Sequence, residues 1–262
     1  MNYGYILSGF AVGMLVGLTG VGGGSLMTPL LVFLFAFKPA VAVGTDLLFA
    51  SITKTMGVFV HHGTHGSVDW TIVRQLSYGS LPAAVLTILL LRHLDQSGKE
   101  LTGLITYSLG LALILTSIAV LIRSYLQRNA PPPEAECNIG RFGARQLPYT
   151  IITGVVLGGL VTLSSVGAGA LGTVALFYLY PRLPTVKIVG TDLAHAIPLT
   201  ALAGLGHLSL GNVNFTLLGS LLIGSLPGIW IGSQLSVKIP DKILRPVLAA
   251  VLLLIGFKFV LQ

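Results

Sequence analysis

Charge is what this sequence has least of. Only 9% of its 262 residues are Asp, Glu, Lys or Arg, against roughly 25% in a soluble domain. So few charges cannot clothe a water-facing surface, which excludes an ordinary soluble protein. Cysteine is nearly absent. The single Cys137 excludes an internal disulfide and any multi-cysteine metal site. Polar stretches are scarce too, with one long example at 123–147. The sequence has no Walker box, no Gly-x-Ser-x-Gly nucleophile elbow and no helical His-Glu-x-x-His motif. ATP-driven, serine-hydrolase and zinc-protease chemistry therefore find no support. The start, Met1-Asn2-Tyr3-Gly4-Tyr5, lacks the basic region of a secretory signal, so the first apolar stretch is expected to belong to the mature fold.

Apolar residues are what remain. They make up 53% of the chain, with mean hydropathy +0.89. The pattern predicts an all-α polytopic membrane protein with ten apolar segments, at about 4–19, 24–37, 43–60, 70–91, 101–122, 148–163, 168–180, 189–206, 214–235 and 243–261. The first two segments of each half are short and separated by glycine-rich breaks, which predicts broken or re-entrant helices. Non-helical backbone at membrane depth survives only against protein or a water-filled cavity. The predicted organisation is a first transmembrane repeat over 1–122, a linker over 123–147 and a second repeat over 148–262.

The net charge of +7 lies mainly in short loops between apolar runs. Loop charge of this kind sets orientation in a bilayer and gives no reason to expect nucleic acid. Arg123, Arg128, Arg141, Arg145, Arg182, Lys187, Lys238, Lys242 and Arg245 fall on the linker side, and Lys38, Arg92 and Lys99 on the other. The expectation is a cytoplasmic linker and both termini outside, in the cell membrane.

The two halves repeat one pattern. Val21-Gly22-Gly23-Gly24-Ser25-Leu26, Gly44-Thr45-Asp46-Leu47 and Gly79-Ser80-Leu81-Pro82 return as Val166-Gly167-Ala168-Gly169-Ala170-Leu171, Gly190-Thr191-Asp192-Leu193 and Gly224-Ser225-Leu226-Pro227. The offsets are 145, 146 and 145 residues. Each half has five crossings, or three if the short pairs are re-entrant. The odd number predicts inverted repeats related by an axis in the membrane plane, with the site where they meet.

The segment Gly20-Val21-Gly22-Gly23-Gly24-Ser25 resembles the N-terminal signature of the TauE/SafE sulfite exporter family. The Gly-Thr-Asp boxes at 44–46 and 190–192 and the Gly-Ser-Leu-Pro boxes at 79–82 and 224–227 are similar to its repeated motifs. The resemblance covers nearly the whole chain. It implies transport of sulfite, thiosulfate or organosulfonates across the cell membrane, with export as the family-level expectation. In the thiosulfate-uptake branch, which resembles this family, the substrate is thought to pass between intramembrane cysteines. Here Cys137 lies in the linker, which favours an oxyanion or sulfonate held by hydrogen bonds.

Candidate site residues follow from the chemistry of an anion. A broken helix leaves N–H groups unpaired at a positive dipole end, and glycine lets an anion approach them. Two facing cradles are expected, one from Gly22, Gly23, Gly24 and Ser25, the other from Ser164, Ser165, Gly167 and Gly169. Thr19, Ser25 and Thr28 would add hydroxyl donors in one half, and Thr162, Ser164 and Ser165 in the other. Close helix packing at small residues is the structural alternative. Lys54 is the only lysine deep within an apolar segment, and could neutralise the anion or pair with Asp46 or Asp192. Asp46 and Asp192, the only acids inside predicted spans, read either as helix caps following Gly-Thr at a segment start or as proton-coupling groups. His195, one turn after Asp192, reads as a proton partner or as a hydrogen-bonded packing residue. His61, His62 and His65 lack the ligands to complete a metal shell, and His207 matches His62 across the repeat. Trp70, Trp230, Tyr78 and Tyr107 read as interface or packing residues.

The expected function is a secondary transporter of sulfite or a small sulfonate working by alternating access, with protons as a candidate partner and with no cofactor and no metal. An anion channel on the same fold, a membrane-embedded enzyme using Asp192 and His195, and a non-transporting scaffold are the rivals.

Overall fold

The structure is a computed structural model describing residues 3–19, 24–62, 67–97, 101–128, 141–235 and 241–261. Among these residues every regular element is helical: α1 (Tyr3–Thr19), α2 (Gly24–Phe35), α3 (Pro39–His62), α4 (Trp70–Gln96), α5 (Leu101–Arg128), α6 (Gln146–Ser164), α7 (Leu171–Leu179), α8 (Thr185–Ser209), α9 (Phe215–Leu235) and α10 (Asp241–Val260). A single 3-10 turn at Gly143–Arg145 leads into α6. The all-α polytopic reading holds. Helices α4, α5, α6, α8 and α9 each contain a stretch long and apolar enough to cross a membrane. Apolar side chains point outward, including Leu7, Leu86, Trp70, Trp230 and Leu254, while Thr45, Asp46, Lys54, Arg123 and Asp192 lie inside. That distribution suits a molecule whose surroundings are lipid.

Local chemistry fixes the helix ends. Pro39 occupies the first position of α3, where its missing N–H costs nothing. The carboxylate of Asp69 accepts from the N–H groups of Thr71 and Ile72 and caps α4, and Asn214 Oδ1 accepts from Leu217 N–H at 3.0 Å to cap α9. α3 and α8 begin earlier than the apolar pattern suggests, at Pro39 and just after Pro184. Asp46 and Asp192 therefore sit about two turns inside their helices, so the cap reading of these acids is corrected. α5 continues past the boundary expected at 122, to Arg128.

Helix direction follows from the contacts. Tyr5 near the start of α1 meets Phe35 and Phe37, with ring centroids 4.9 and 5.8 Å apart, so α2 ends at the face where α1 begins. Gln146 Nε2 donates to Leu179 O at 3.1 Å and Arg141 N–H to the same carbonyl at 2.8 Å, so α7 ends where α6 begins. α7 has nine residues, about 13 Å of rise, less than half of a hydrocarbon core. α2 and α7 are thus short helices that return to the face where the preceding helix begins, as re-entrant helices do.

The remaining helices pack in matched sets. α1 runs parallel to α9, and α4 parallel to α6. A Cβ on Gly9 or Gly13 would strike backbone at Leu221 or Ser225, and one on Gly154 or Gly158 would strike backbone at Leu76 or Ser80. α3 runs antiparallel to α8, with Gly44 against His207 and Gly204 against Leu48. α5 runs antiparallel to α10, crossing at Gly110 and Gly256. The first helix of each half therefore packs on the fourth helix of the other. Each full-length helix also runs opposite to its counterpart five helices later.

Candidate functional site

Both Gly-Thr-Asp boxes do the same local work. Thr45 Oγ1 accepts from Asn214 N–H at 3.1 Å, and Thr191 Oγ1 accepts from Asp69 N–H at 2.9 Å. Each box thus fastens a long helix to the cap of a helix in the other half. The next residue turns inward. Thr28 donates to Asp46 Oδ2 at 2.5 Å, and Thr173 donates to Asp192 Oδ2 at 3.0 Å. Thr28 and Thr173 are 145 residues apart, on α2 and α7, so each re-entrant helix is tied to the acid of its own half.

The second break is described in full. α6 stops where Ser165 takes the left-handed conformation at φ 59°, and Gly167 and Gly169 follow at φ 113° and 126°. Those last two values are strained for any side chain, which is why the break needs glycine there. Val166 N–H is satisfied by Ser164 Oγ, and Leu171 and Gly172 N–H reach Gly167 O. The N–H groups of Gly167, Ala168, Gly169 and Ala170 have no acceptor among the described residues. All four residues are buried, at the N-terminal end of α7. Lys54, 4% exposed, extends from α3 and donates through Nζ to Ala168 O at 2.8 Å.

Around this break lies a small set of buried charges. Asp46 and Asp192 are 0% and 1% exposed, Lys54 lies within electrostatic reach of both, and Arg123 acts on Asp192 from α5. One oxygen of each acid, Oδ1, has no hydrogen-bond partner. Asp192 Oδ1 lies against Gly172 in the first turn of α7, where even a methyl group would collide with it.

Lys54, Ser165, Gly167, Gly169, Asp46 and Asp192 therefore meet as expected residues of one region. The hydroxyls do not serve as the sequence suggested. Ser165 donates to Asp46 Oδ2 at 3.0 Å, Ser164 to Leu160 O at 2.6 Å and Thr162 to Gly158 O at 2.7 Å. Each satisfies an internal acceptor, because a buried hydroxyl with a nearby carbonyl or carboxylate gains by bonding to it. The free donors are backbone N–H groups. His195 takes the second of its two readings, a hydrogen-bonded packing residue. Its Nε2 pairs with Ser80 Oγ at 2.8 Å and not with Asp192, so the acid–histidine pair of the enzyme reading does not form. His207 Nε2 pairs with Thr162 O at 2.9 Å.

Gly22 and Gly23 lie outside the described residues. Thr19, Gly24 and Ser25 belong to α1 and α2, but their side chains lie outside them as well, as do those of His61 and His62 and all of His65. Among the described residues no three His, Cys, Asp or Glu side chains gather as a metal shell. Arg123 is the member that sequence reasoning misplaced. It was assigned to the linker, yet α5 continues through it and buries it. The cue was helical period: Arg123 stands seven residues after Thr116, which is also buried, on one face of α5.

Comparison with known proteins is consistent across the chain. Residues 5–259 match a family model described as "Sulfite exporter TauE/SafE". The chain is 39% identical over 260 residues to "Probable membrane transporter protein YjnA" of Bacillus subtilis (strain 168), covering 99% of this chain and 100% of that one. It is 27% identical to "Probable membrane transporter protein YdhB" of the same organism, over 95% and 98% of the two chains. It is 26% identical to "Probable membrane transporter protein MJ0441" of Methanocaldococcus jannaschii, over 96% and 92%. No solved structure gives a significant match.

Proposed function

The chain belongs to the TauE/SafE sulfite exporter family of membrane transporters, and from that premise we propose that it exports sulfite or a small sulfonate by alternating access. The observation that carries this reading is the α6–α7 break. Four buried N–H groups without an acceptor among the described residues lie beside Lys54, at the positive end of a short helix. Sulfite and sulfonates present only acceptor oxygens, so a cradle made of donors suits them. Glycine lets those oxygens reach the backbone. Lys54 Nζ donates to Ala168 O, and an arriving anion offers its ammonium a stronger, charged partner.

The packing supports two inverted repeats as the moving parts. Exchange of first and fourth helices between the halves ties each half to the other, and α7 brings the second break toward the repeat interface. The basic residues of the α5–α6 connection and of Arg182 and Lys187 favour a cytoplasmic linker face.

Uptake of labelled sulfite and labelled methanesulfonate into proteoliposomes tests the reading. Saturable uptake that unlabelled anion competes away is expected. Loss of one charge-assisted hydrogen bond, about 1.5–3 kcal/mol, should weaken apparent affinity about 10- to 100-fold in Lys54→Ala, with partial recovery in Lys54→Arg. Unchanged affinity in a folded Lys54→Ala protein would remove Lys54 from the site. Absence of uptake for every sulfur oxyanion and sulfonate tried would defeat the substrate assignment.

A further inference from the structure

Among the described residues the buried charges around the break balance. Asp46 and Asp192 carry two negative charges if ionised, and Lys54 and Arg123 carry two positive ones, all four at 5% exposure or less. A substrate monoanion upsets that balance. It would leave one uncompensated negative charge inside the membrane, where a charged group is costly. The site must then gain a positive charge as the anion enters.

The structure offers a place for it. Oδ2 of each acid is hydrogen-bonded, by Thr28 and Ser165 on Asp46 and by Thr173 on Asp192, while Oδ1 of each is buried with no partner. A bare carboxylate oxygen cut off from water and from donors is costly. A proton on that oxygen removes the charge and turns an unsatisfied acceptor into a donor. For Asp192 the oxygen concerned already lies against Gly172, in the first turn of the helix whose N-terminus forms the cradle.

We infer that one proton crosses with each anion, carried on the Asp46 and Asp192 carboxylates, so that the transport cycle is electroneutral. This inference rests on the anion-transporter reading above. The anion and one proton enter from the same side. The anion binds at the cradle and the proton forms an O–H bond on a carboxylate oxygen. Both leave on the opposite side, the O–H bond breaks, and the site returns with two acids facing two bases. The empty and the loaded site then each hold zero net charge while they reorient.

The groups facing Asp192 bear this out from each neighbouring helix. α3 supplies Lys54, which faces Asp46 as well, α5 supplies Arg123, and α7 supplies the Thr173 hydroxyl. His195 stands one turn further along α8 but is engaged with Ser80 of α4, and the nearby donor from the α6 end, Ser165, is spent on Asp46. The carboxylates are thus the groups placed to take the proton.

The decisive experiment uses the purified full chain in proteoliposomes with methanesulfonate, which keeps one negative charge across the working pH range. Anion-for-anion counterflow is measured first, because it needs no net movement of charge or protons. Accumulation is then driven either by a pH gradient with the potential clamped at zero, or by a potassium diffusion potential at equal pH. The expected result is accumulation of about tenfold per pH unit and none from the potential. Asp192→Asn, which fixes that side chain neutral, should lose accumulation driven by the pH gradient, and the transport that remains should become sensitive to the potential. If it does not fold, Asp46→Asn and the unmodified protein still decide the matter. Accumulation driven by the potential and indifferent to pH, or driven by a sodium gradient, overturns the inference while leaving the transporter reading intact. If only sulfite exchanges, the potential is applied at a pH where the bisulfite monoanion predominates, and a response to it overturns the inference. If counterflow fails for every sulfur anion, the transporter reading falls, and the inference falls with it.

Discussion

Thr45 and Asn214 show how much one buried hydroxyl can hold. Thr45 is 0% exposed on α3, yet its oxygen receives the backbone N–H of the residue that caps α9. Valine has nearly the same shape and no acceptor. Thr45→Val should therefore leave that N–H unsatisfied and lower stability by about 1–3 kcal/mol. The expected outcome is an earlier unfolding transition in detergent, read by intrinsic fluorescence, with transport retained in the folded fraction. The Thr-Asp pairing was legible in the sequence as a repeated box, but its division of labour was not. Thr45 and Thr191 reach across to the other half while Asp46 and Asp192 turn inward, because consecutive helical residues point about 100° apart.

Helix pairs in this protein approach through glycine, and position alone decides what each glycine does. On α6, a methyl at Gly154 would meet Leu76 O and the backbone of α4, which cannot give way. On α9, a methyl at Gly219 meets nothing within 4 Å. Gly154→Ala should therefore push α4 and α6 apart and cost about 1–3 kcal/mol, as overpacking does. Gly219→Ala should gain roughly 0.5–1 kcal/mol from helix propensity. Opposite shifts in the thermal midpoint of the two variants would check both. The sequence showed 33 glycines and two breaks, but not which glycines face a neighbour. Hydropathy could not separate them either, since lipid and protein interiors are equally apolar.

Taken whole, the molecule has two distinct faces. α4 ends at Ser97 on the face where α1 begins, and α6 starts beside Arg141 on the other. The single native cysteine makes this testable. In a Cys137→Ser background, Ser97→Cys and Arg141→Cys should react with a membrane-impermeant maleimide from opposite sides of the cell membrane. The positive-inside rule puts Arg141 within the cytoplasm. Labelling of both from one side would refute a single crossing by α5, the helix that lies between them in the chain.

The sequence by itself determined the class, the ten segments, the duplication and the family. Each of these is written in local order: apolar run length, glycine breaks and motifs repeated at a fixed offset. It also singled out Asp46, Lys54 and Asp192, because a charge in an apolar run stands out without any structure. Only the tertiary structure decided what these residues meet. Lys54 finds Ala168, 114 residues away, and Ser165 finds Asp46 across 119 residues. Such partners are fixed by how helices of the two halves cross, and no local pattern encodes that crossing. The same packing engages the hydroxyls of Thr28, Thr162, Ser164 and Ser165 with internal acceptors and leaves four backbone N–H groups at the second break without one among the described residues. It also drew Arg123 out of a presumed linker and into the charged interior.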